Sequence, residues 1–264
     1  MMIKAVFFDI DGTLVPFGEH SIPENTRMAL RQLRDNGIRV FIATGRHPAW
    51  IDNLGDEVFD GYVTTNGALC LFGDRSSEIY RREIDRDDLR RLIPFAHNHD
   101  IPFVVVPVDG DIFTTGVNDN FIEASKLLNI PYVPHRPVEE VLNIPVVQMM
   151  AFASNAEIER SGLFRQVLHG CEPTSWSPLF SDIVPKGSDK SVGIDHMIDC
   201  FGISLSETMA FGDGDNDIGM LKHVACGVAM GNAAASVKAV ADFVTLPVDY
   251  DGVGNALRHF GLIY

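Results

Sequence analysis

No apolar run in this chain of 264 residues approaches the roughly 18 residues that a membrane-spanning helix needs, which argues against an integral helical membrane protein. Cysteine is sparse: Cys70, Cys171, Cys200 and Cys226 are scattered and form no CxxC pair. That pattern suggests neither a zinc site nor a disulfide framework. Basic residues are also few, with 21 Lys+Arg against 36 Asp+Glu, a net charge of −15 and a pI near 4.9. Phosphate backbones are bound through clustered Lys and Arg, so a nucleic-acid partner is not expected. A small anionic substrate stays open, because a local cation overrides net charge. The GxxxxGK[ST] nucleotide loop is missing, and the 9 histidines show no HExxH spacing. There is no internal repeat and no low-complexity tract. With 46% hydrophobic and 22% charged residues, the composition is that of a folded globular protein. Asp9 and Asp11 lie within the first 14 residues, where a signal peptide would be uniformly apolar. The expectation is a soluble, cytoplasmic protein with no membrane partner.

Short, continuously apolar runs dominate both ends of the chain. Lys4–Phe8, Ile38–Ala43, Gly61–Thr65, Thr208–Phe211, Cys226–Met230 and Phe243–Leu246 read as strands buried on both faces. A helix is predicted from about Ile22, opened by Ser21 with Glu24 three residues on and closed by Asn36-Gly37. Its apolar face is Thr26, Ala29, Leu30 and Leu33. Further helices are expected at 191–201, up to His223 and at 233–241. Strands alternating with helices predict an α/β domain with a parallel sheet. The middle differs. A helix at 87–98, strands at 101–106 and 146–152 and a helix at 156–168 read as an inserted α+β domain of roughly 100 residues. Most of the 14 prolines fall between Pro94 and Pro178. The expected division is 1–83 with 183–264 as one domain and 84–182 as the insertion.

Three apolar strands end in polar clusters: Asp9/Asp11, Thr44-Gly45-Arg46 and Asp213/Asn216/Asp217. Ligands of open parallel sheets bind at the carboxyl ends of strands, so these clusters can converge. Converging aspartates repel unless something positive neutralises them, and a hard divalent cation with oxygen ligands does so. Lys190 is a further cation, just before the third cluster. These are parts suited to phosphoryl transfer. Gly212–Asp217 fails as a calcium loop, with Ile218 and Val224 where Gly and Glu are needed. It also fails as a dinucleotide loop, having Asp217 where GxGxxG needs Gly.

The ordered blocks Asp9-Ile10-Asp11-Gly12-Thr13, Thr44-Gly45-Arg46, Lys190 and Gly212-Asp213-Gly214-Asp215-Asn216-Asp217 resemble the haloacid dehalogenase-like phosphohydrolases. Thr44 follows Asp11 by 33 positions and Lys190 follows Thr44 by 146, spacing similar to that of the Cof-type (class IIB, C2-capped) sugar phosphatases. The resemblance implies a doubly wound parallel-sheet, Rossmann-like core with an α+β cap that selects the leaving group. It implies Asp9 as nucleophile, forming an aspartyl-phosphate, and Asp11 as general acid/base. Mg²⁺ would be held by Asp9, the Asp11 carbonyl and Asp213. The amide of Ile10 together with Thr44, Gly45, Lys190 and Asn216 would bind the phosphoryl oxygens. Asp217 would support the metal from behind its ligands or hold Lys190. Ser191 stands where the family frequently has glycine.

Other positions carry two readings. Arg46 is a substrate-pocket candidate or part of a strand-end turn. Asn66-Gly67 is a hairpin turn, and the resemblance makes Asn66 a pocket candidate. Trp176 suits stacking on a sugar as well as core packing. The expected activity is Mg²⁺-dependent hydrolysis of a small, hexose-phosphate-like phosphorylated sugar. The alternatives are a phosphomutase of the same fold and a catalytically idle sugar-phosphate-binding protein. The sequence leaves oligomeric state open, a monomer being compatible with a large cap.

Overall fold

A computed structural model describes residues 2–99, 101–127, 136–174 and 177–264. The chain divides into two compact units. One comprises Met1–Arg46, Ile51–Tyr80 and Asp189–Tyr264, the other His47–Trp50 and Arg81–Ser188. The short turn His47–Trp50 groups with the second unit. There the His47 ring lies against Gly110, 3.1 Å from where a Cβ on that glycine would stand.

The first sheet contains β1 (Ala5–Phe8), β2 (Arg39–Ala43), β3 (Gly61–Thr64), β4 (Leu69–Phe72) and β5 (Glu78–Arg81). The second contains β6 (Phe103–Pro107), β7 (Phe113–Thr114), β8 (Arg136–Pro137), β9 (Val146–Ala151), β10 (Cys171–Thr174) and β11 (Ser181–Pro185). The chain then returns to the first sheet with β12 (Thr208–Gly212), β13 (Cys226–Ala229) and β14 (Phe243–Val244). The first sheet runs β14-β13-β12-β1-β2-β3-β4-β5, and the second β10-β11-β9-β6-β7-β8. From β14 to β3 every pairing is parallel; β4 joins antiparallel to β3. The fold is α/β, and the parallel order brings the carboxyl ends of β1, β2, β3 and β12 to one edge.

Described helices are α1 (Glu24–Asp35), α2 (Arg86–Asn98), α3 (Asp119–Leu127), α4 (Asn155–Ser161), α5 (Leu163–Gln166), α6 (Lys190–Phe201), α7 (Ile218–His223), α8 (Ala235–Lys238) and α9 (Gly252–His259). Side chains alternate across β1, as a strand requires. Val6 and Phe8 pack with Leu30 and Leu33 of α1 and with Leu257 of α9. Ala5 and Phe7 pack on the other face with Ile194 and Met197 of α6. Truncating a fully buried leucine such as Leu30 costs about 2–5 kcal/mol. In the second sheet Phe103, Val105 and Met149 face Leu89 and Leu92 of α2, whereas Val104, Val106 and Met150 face Ala124 of α3.

Several local expectations need correction. Helix α1 begins at Glu24 behind Pro23, which makes no side-chain cap; Ser21 lies outside it. Proline suits a helix start because its missing N–H would be unsatisfied there anyway. Its C-terminus closes as expected, with Gly37 at φ 78° and the Ile38 amide donating to Leu33 O at 3.0 Å. The segment 156–168 is two helices, because Gly162 takes a left-handed conformation (φ 74°) between them. The helix expected at 233–241 covers only Ala235–Lys238. No helix among the described residues is long and apolar enough to cross a membrane. Trp176 lies outside the described residues.

Candidate active site

Asp9 follows β1 directly, and its amide still continues the sheet by donating to Phe211 O at 3.0 Å. The backbone then tightens. The amides of Thr13, Leu14 and Val15 all donate to the Ile10 carbonyl. Gly12 permits this turn with φ 81°, and a Cβ there would stand 2.2 Å from Asp213 Oδ2. Only glycine therefore lets the loop after β1 approach the loop after β12 so closely. Thr13 Oγ1 donates to Asp213 Oδ1 at 3.2 Å, binding the two loops together.

Lys190, the first residue of α6, is fully buried. Its Nζ lies 2.7 Å from Asp9 Oδ1 and 2.6 Å from Asp217 Oδ1. Asp217 Oδ2 accepts the amides of Asp213 and Gly214, both at 2.9 Å. Both oxygens of Asp217 are thus engaged, one with Lys190 and one in closing its own loop. Carboxylate oxygens of Asp9, Asp213 and Asp217 lie within 4.8 Å of one another.

Three carboxylates face one ammonium. Burial pushes the Asp9 carboxyl well above the usual range; Lys190 opposes this, and Asp217, Asp213 and Asp11 add to it. Burial, reinforced by Asp217, pushes Asp213 up to about 7. For Lys190 burial acts to lower the pKa, but Asp217 and Asp9 outweigh it and the ammonium is held charged. Fully ionised, the three carboxylates would carry more negative charge than the lysine cancels, and this repulsion adds to the rise of Asp9 and Asp213. An all-oxygen donor set with surplus negative charge fits a hard divalent cation. Asp9 and Asp213 could hold one.

Asp11 points elsewhere. Arg46 Nε and Nη2 clamp its two carboxylate oxygens at 2.7 and 2.8 Å, the bidentate geometry that a guanidinium favours. Burial acts to lower the Arg46 pKa, but its bond to Asp11 prevails and raises it. Thr44 is buried at the end of β2, and its Oγ1 accepts the Arg46 amide at 3.1 Å. Gly45 stands between them, partly exposed. Asn66 lies in the turn joining β3 to β4, and its Oδ1 accepts from Asn216 Nδ2 at 3.1 Å. The structure thus gathers Asp9, Lys190, Asp213 and Asp217 at one point, with separate Asp11–Arg46 and Asn66–Asn216 pairs.

Sequence reasoning passed over Asn232. Its Nδ2 donates to Gly12 O at 2.9 Å and to Asp213 Oδ2 at 3.2 Å, and its Oδ1 accepts the Val248 amide at 2.9 Å. One carboxamide thereby ties together three loops. The available signal was its position two residues beyond the apolar run Cys226–Met230, at a carboxyl strand end like the other clusters.

A sequence profile of haloacid dehalogenase-like hydrolases matches residues 6–257. The candidate phosphatase YkrA of Bacillus subtilis is 32% identical over 261 residues, covering 98% of this chain and 98% of its own. The 5-amino-6-(5-phospho-D-ribitylamino)uracil phosphatase YitU of the same organism is 27% identical over 262 residues, covering 97% and 96%. Among solved structures, the subclass IIB sugar phosphatase BT4131 superposes with a TM-score of 0.90 at 41% identity, covering 98% of this chain and 100% of its own. The chain belongs to the haloacid dehalogenase-like hydrolases, and is a phosphatase of their Cof-type, subclass IIB branch.

Proposed function

We propose that the chain is a Mg²⁺-dependent phosphomonoesterase for small sugar phosphates that carries the phosphoryl group on Asp9. The observation supporting this most directly is the buried Asp9–Lys190–Asp217 arrangement, with Asp213 completing an acidic cluster within 4.8 Å. Asp9 and Asp213, with the backbone carbonyl of Asp11, are the residues that would hold the cation. Asp217 is better suited to anchoring Lys190, since both its oxygens are already committed. Bound there, the cation supplies positive charge that keeps Asp9 ionised and offsets charge on the phosphoryl oxygens.

An oxygen of Asp9 attacks phosphorus, and the bond from phosphorus to the leaving oxygen breaks. Asp11 gives that oxygen a proton and later takes one from the water that cleaves the aspartyl-phosphate, releasing inorganic phosphate. The Arg46 clamp engages both Asp11 oxygens, so it must open for either transfer. Lys190, with the Ile10 amide, Thr44, Gly45 and Asn216, is suited to binding phosphoryl oxygens. The similarity to a sugar phosphatase along nearly the whole chain supports a sugar phosphate as substrate.

The test is phosphate release from p-nitrophenyl phosphate and from a panel of hexose and pentose phosphates, with and without EDTA. Metal-dependent release is expected, with a preference for sugar phosphates and nearly complete loss in Asp9→Asn. Undiminished turnover after metal removal, or an active Asp9→Asn variant, would contradict the proposal.

A further inference from the structure

Three successive residues in the turn between β3 and β4 have positive φ: Thr65 at 48°, Asn66 at 51° and Gly67 at 88°. Gly67 adopts this freely, and no other residue fits, since a Cβ would stand 2.1 Å from the carbonyl oxygen of Asp189. Thr65 and Asn66 adopt it under strain, which is greater for the β-branched threonine. Both are buried. Such strain persists only where the surroundings impose it, and here the partners that impose it are identifiable. The Thr65 amide donates to Arg46 O and the Asn66 amide to Thr44 O, each at 3.1 Å. The Asn66 side chain reaches Asn216 on the loop after β12. Gly67 abuts Asp189, which precedes Lys190. A single strained turn therefore touches the loop after β2, the start of α6 and the loop after β12.

We propose that Asn66 is a positioning residue: held in a left-handed turn, it fixes the Asn216 carboxamide by accepting one of its two N–H groups and leaves the other for a phosphoryl oxygen. The inference rests on the reading of Asn216 as a phosphoryl ligand. A freely rotating carboxamide would present its oxygen to the phosphate as readily as its nitrogen.

The full-length chain is assayed for p-nitrophenyl phosphate hydrolysis and for inhibition by orthophosphate, alongside thermal melting. Asn66→Ala and Asn216→Ala should each lower kcat/KM by about tenfold and weaken orthophosphate inhibition to a similar degree. The double variant should be no worse than Asn216→Ala alone, because both act through one contact. Asn66→Gly should lose the same activity while melting no lower than the unaltered chain, since glycine relieves the strain. An Asn66→Ala variant within twofold of the unaltered chain would overturn the inference. So would losses that multiply in the double variant, or an Asn66→Gly variant whose melting temperature falls with its activity. Failure of the parent reading shows separately, as an unaltered chain that releases no phosphate or an unimpaired Asn216→Ala, and takes this inference down with it.

Discussion

Without a bound cation, the acidic cluster should contribute a loss of stability as pH rises. Asp213 moves from the ordinary 3.8 to about 7, and Asp9 shifts the same way. A carboxyl whose pKa is raised by folding binds more protons folded than unfolded. Its cost is absent below the unfolded value and complete above the folded one. Glu57 has the opposite sign. Burial works against its ionisation, but Arg31, Arg27 and Arg34 prevail and hold it below the usual range, so its stabilisation is lost only in acid. Between about pH 5 and 8 the cluster is opposed by His47, which burial pushes down to about 4 and whose cost fades as pH rises towards 6.5, so the cluster's own slope is the difference between the unaltered chain and Asp213→Asn. Across this range the Asp213 shift corresponds to about 3 kcal/mol unscreened, and its partial exposure and salt screening leave about 2 kcal/mol. For a chain of this size that is roughly 4–8 °C of melting temperature. On the proposed function, added Mg²⁺ should bind the ionised form and its stabilisation should grow with pH, reaching about 1.4 kcal/mol at tenfold excess over Kd. Differential scanning fluorimetry in EDTA and in MgCl₂ across this range measures both slopes, and the unaltered chain should lose more stability with rising pH in EDTA than Asp213→Asn does. An Asp213→Asn variant that keeps the full pH slope of the unaltered chain in EDTA would refute the reasoning.

Three substitutions probe the same charges by other routes. Lys190→Met leaves buried carboxylates without their ammonium and should cost about 3–5 kcal/mol in urea unfolding; a loss below about 1 kcal/mol would mean that the carboxylates are neutral without it. Gly12→Ala drives a methyl group to 2.2 Å from Asp213 Oδ2 in a backbone with φ 81°, so calorimetric Mg²⁺ affinity should fall by at least about tenfold. Unaltered affinity there would show that the two loops separate without consequence. Asn232→Ala frees the Asp213 carboxylate from one of its orienting bonds. The Mg²⁺ concentration for half-maximal activity should then rise severalfold, with kcat at saturating Mg²⁺ largely retained; an unchanged requirement would dismiss Asn232 as a support.

The acidic cluster was legible because its placement follows from topology. A strand buried on both faces, such as Ala5–Phe8, belongs in the middle of a parallel sheet, and whatever polar residues end it must emerge at the sheet's carboxyl edge. Asp9 and Asp213 could therefore be brought together without knowing a single contact. Which hydrogen bond each side chain makes was not legible, because rotamer and loop conformation decide it. Asp11 sits only two residues from Asp9 yet turns to Arg46, and Asn216 finds a partner 150 positions away. Asn232 was passed over for a related reason: asparagine after a strand ordinarily signals a turn, and nothing local shows that its amide reaches Gly12 and Asp213. The misjudged helices have a simpler cause. Apolar residues lie on both sides of Gly162, Ile158 before it and Leu163 and Val167 after it, and only the left-handed geometry there reveals two helices. Periodicity reports what a segment buries, whereas the start and end of each element depend on backbone conformations that the pattern does not encode. The parts of this site set by burial could be read in advance, and those set by individual hydrogen bonds, Asn66 to Asn216 above all, required the folded chain.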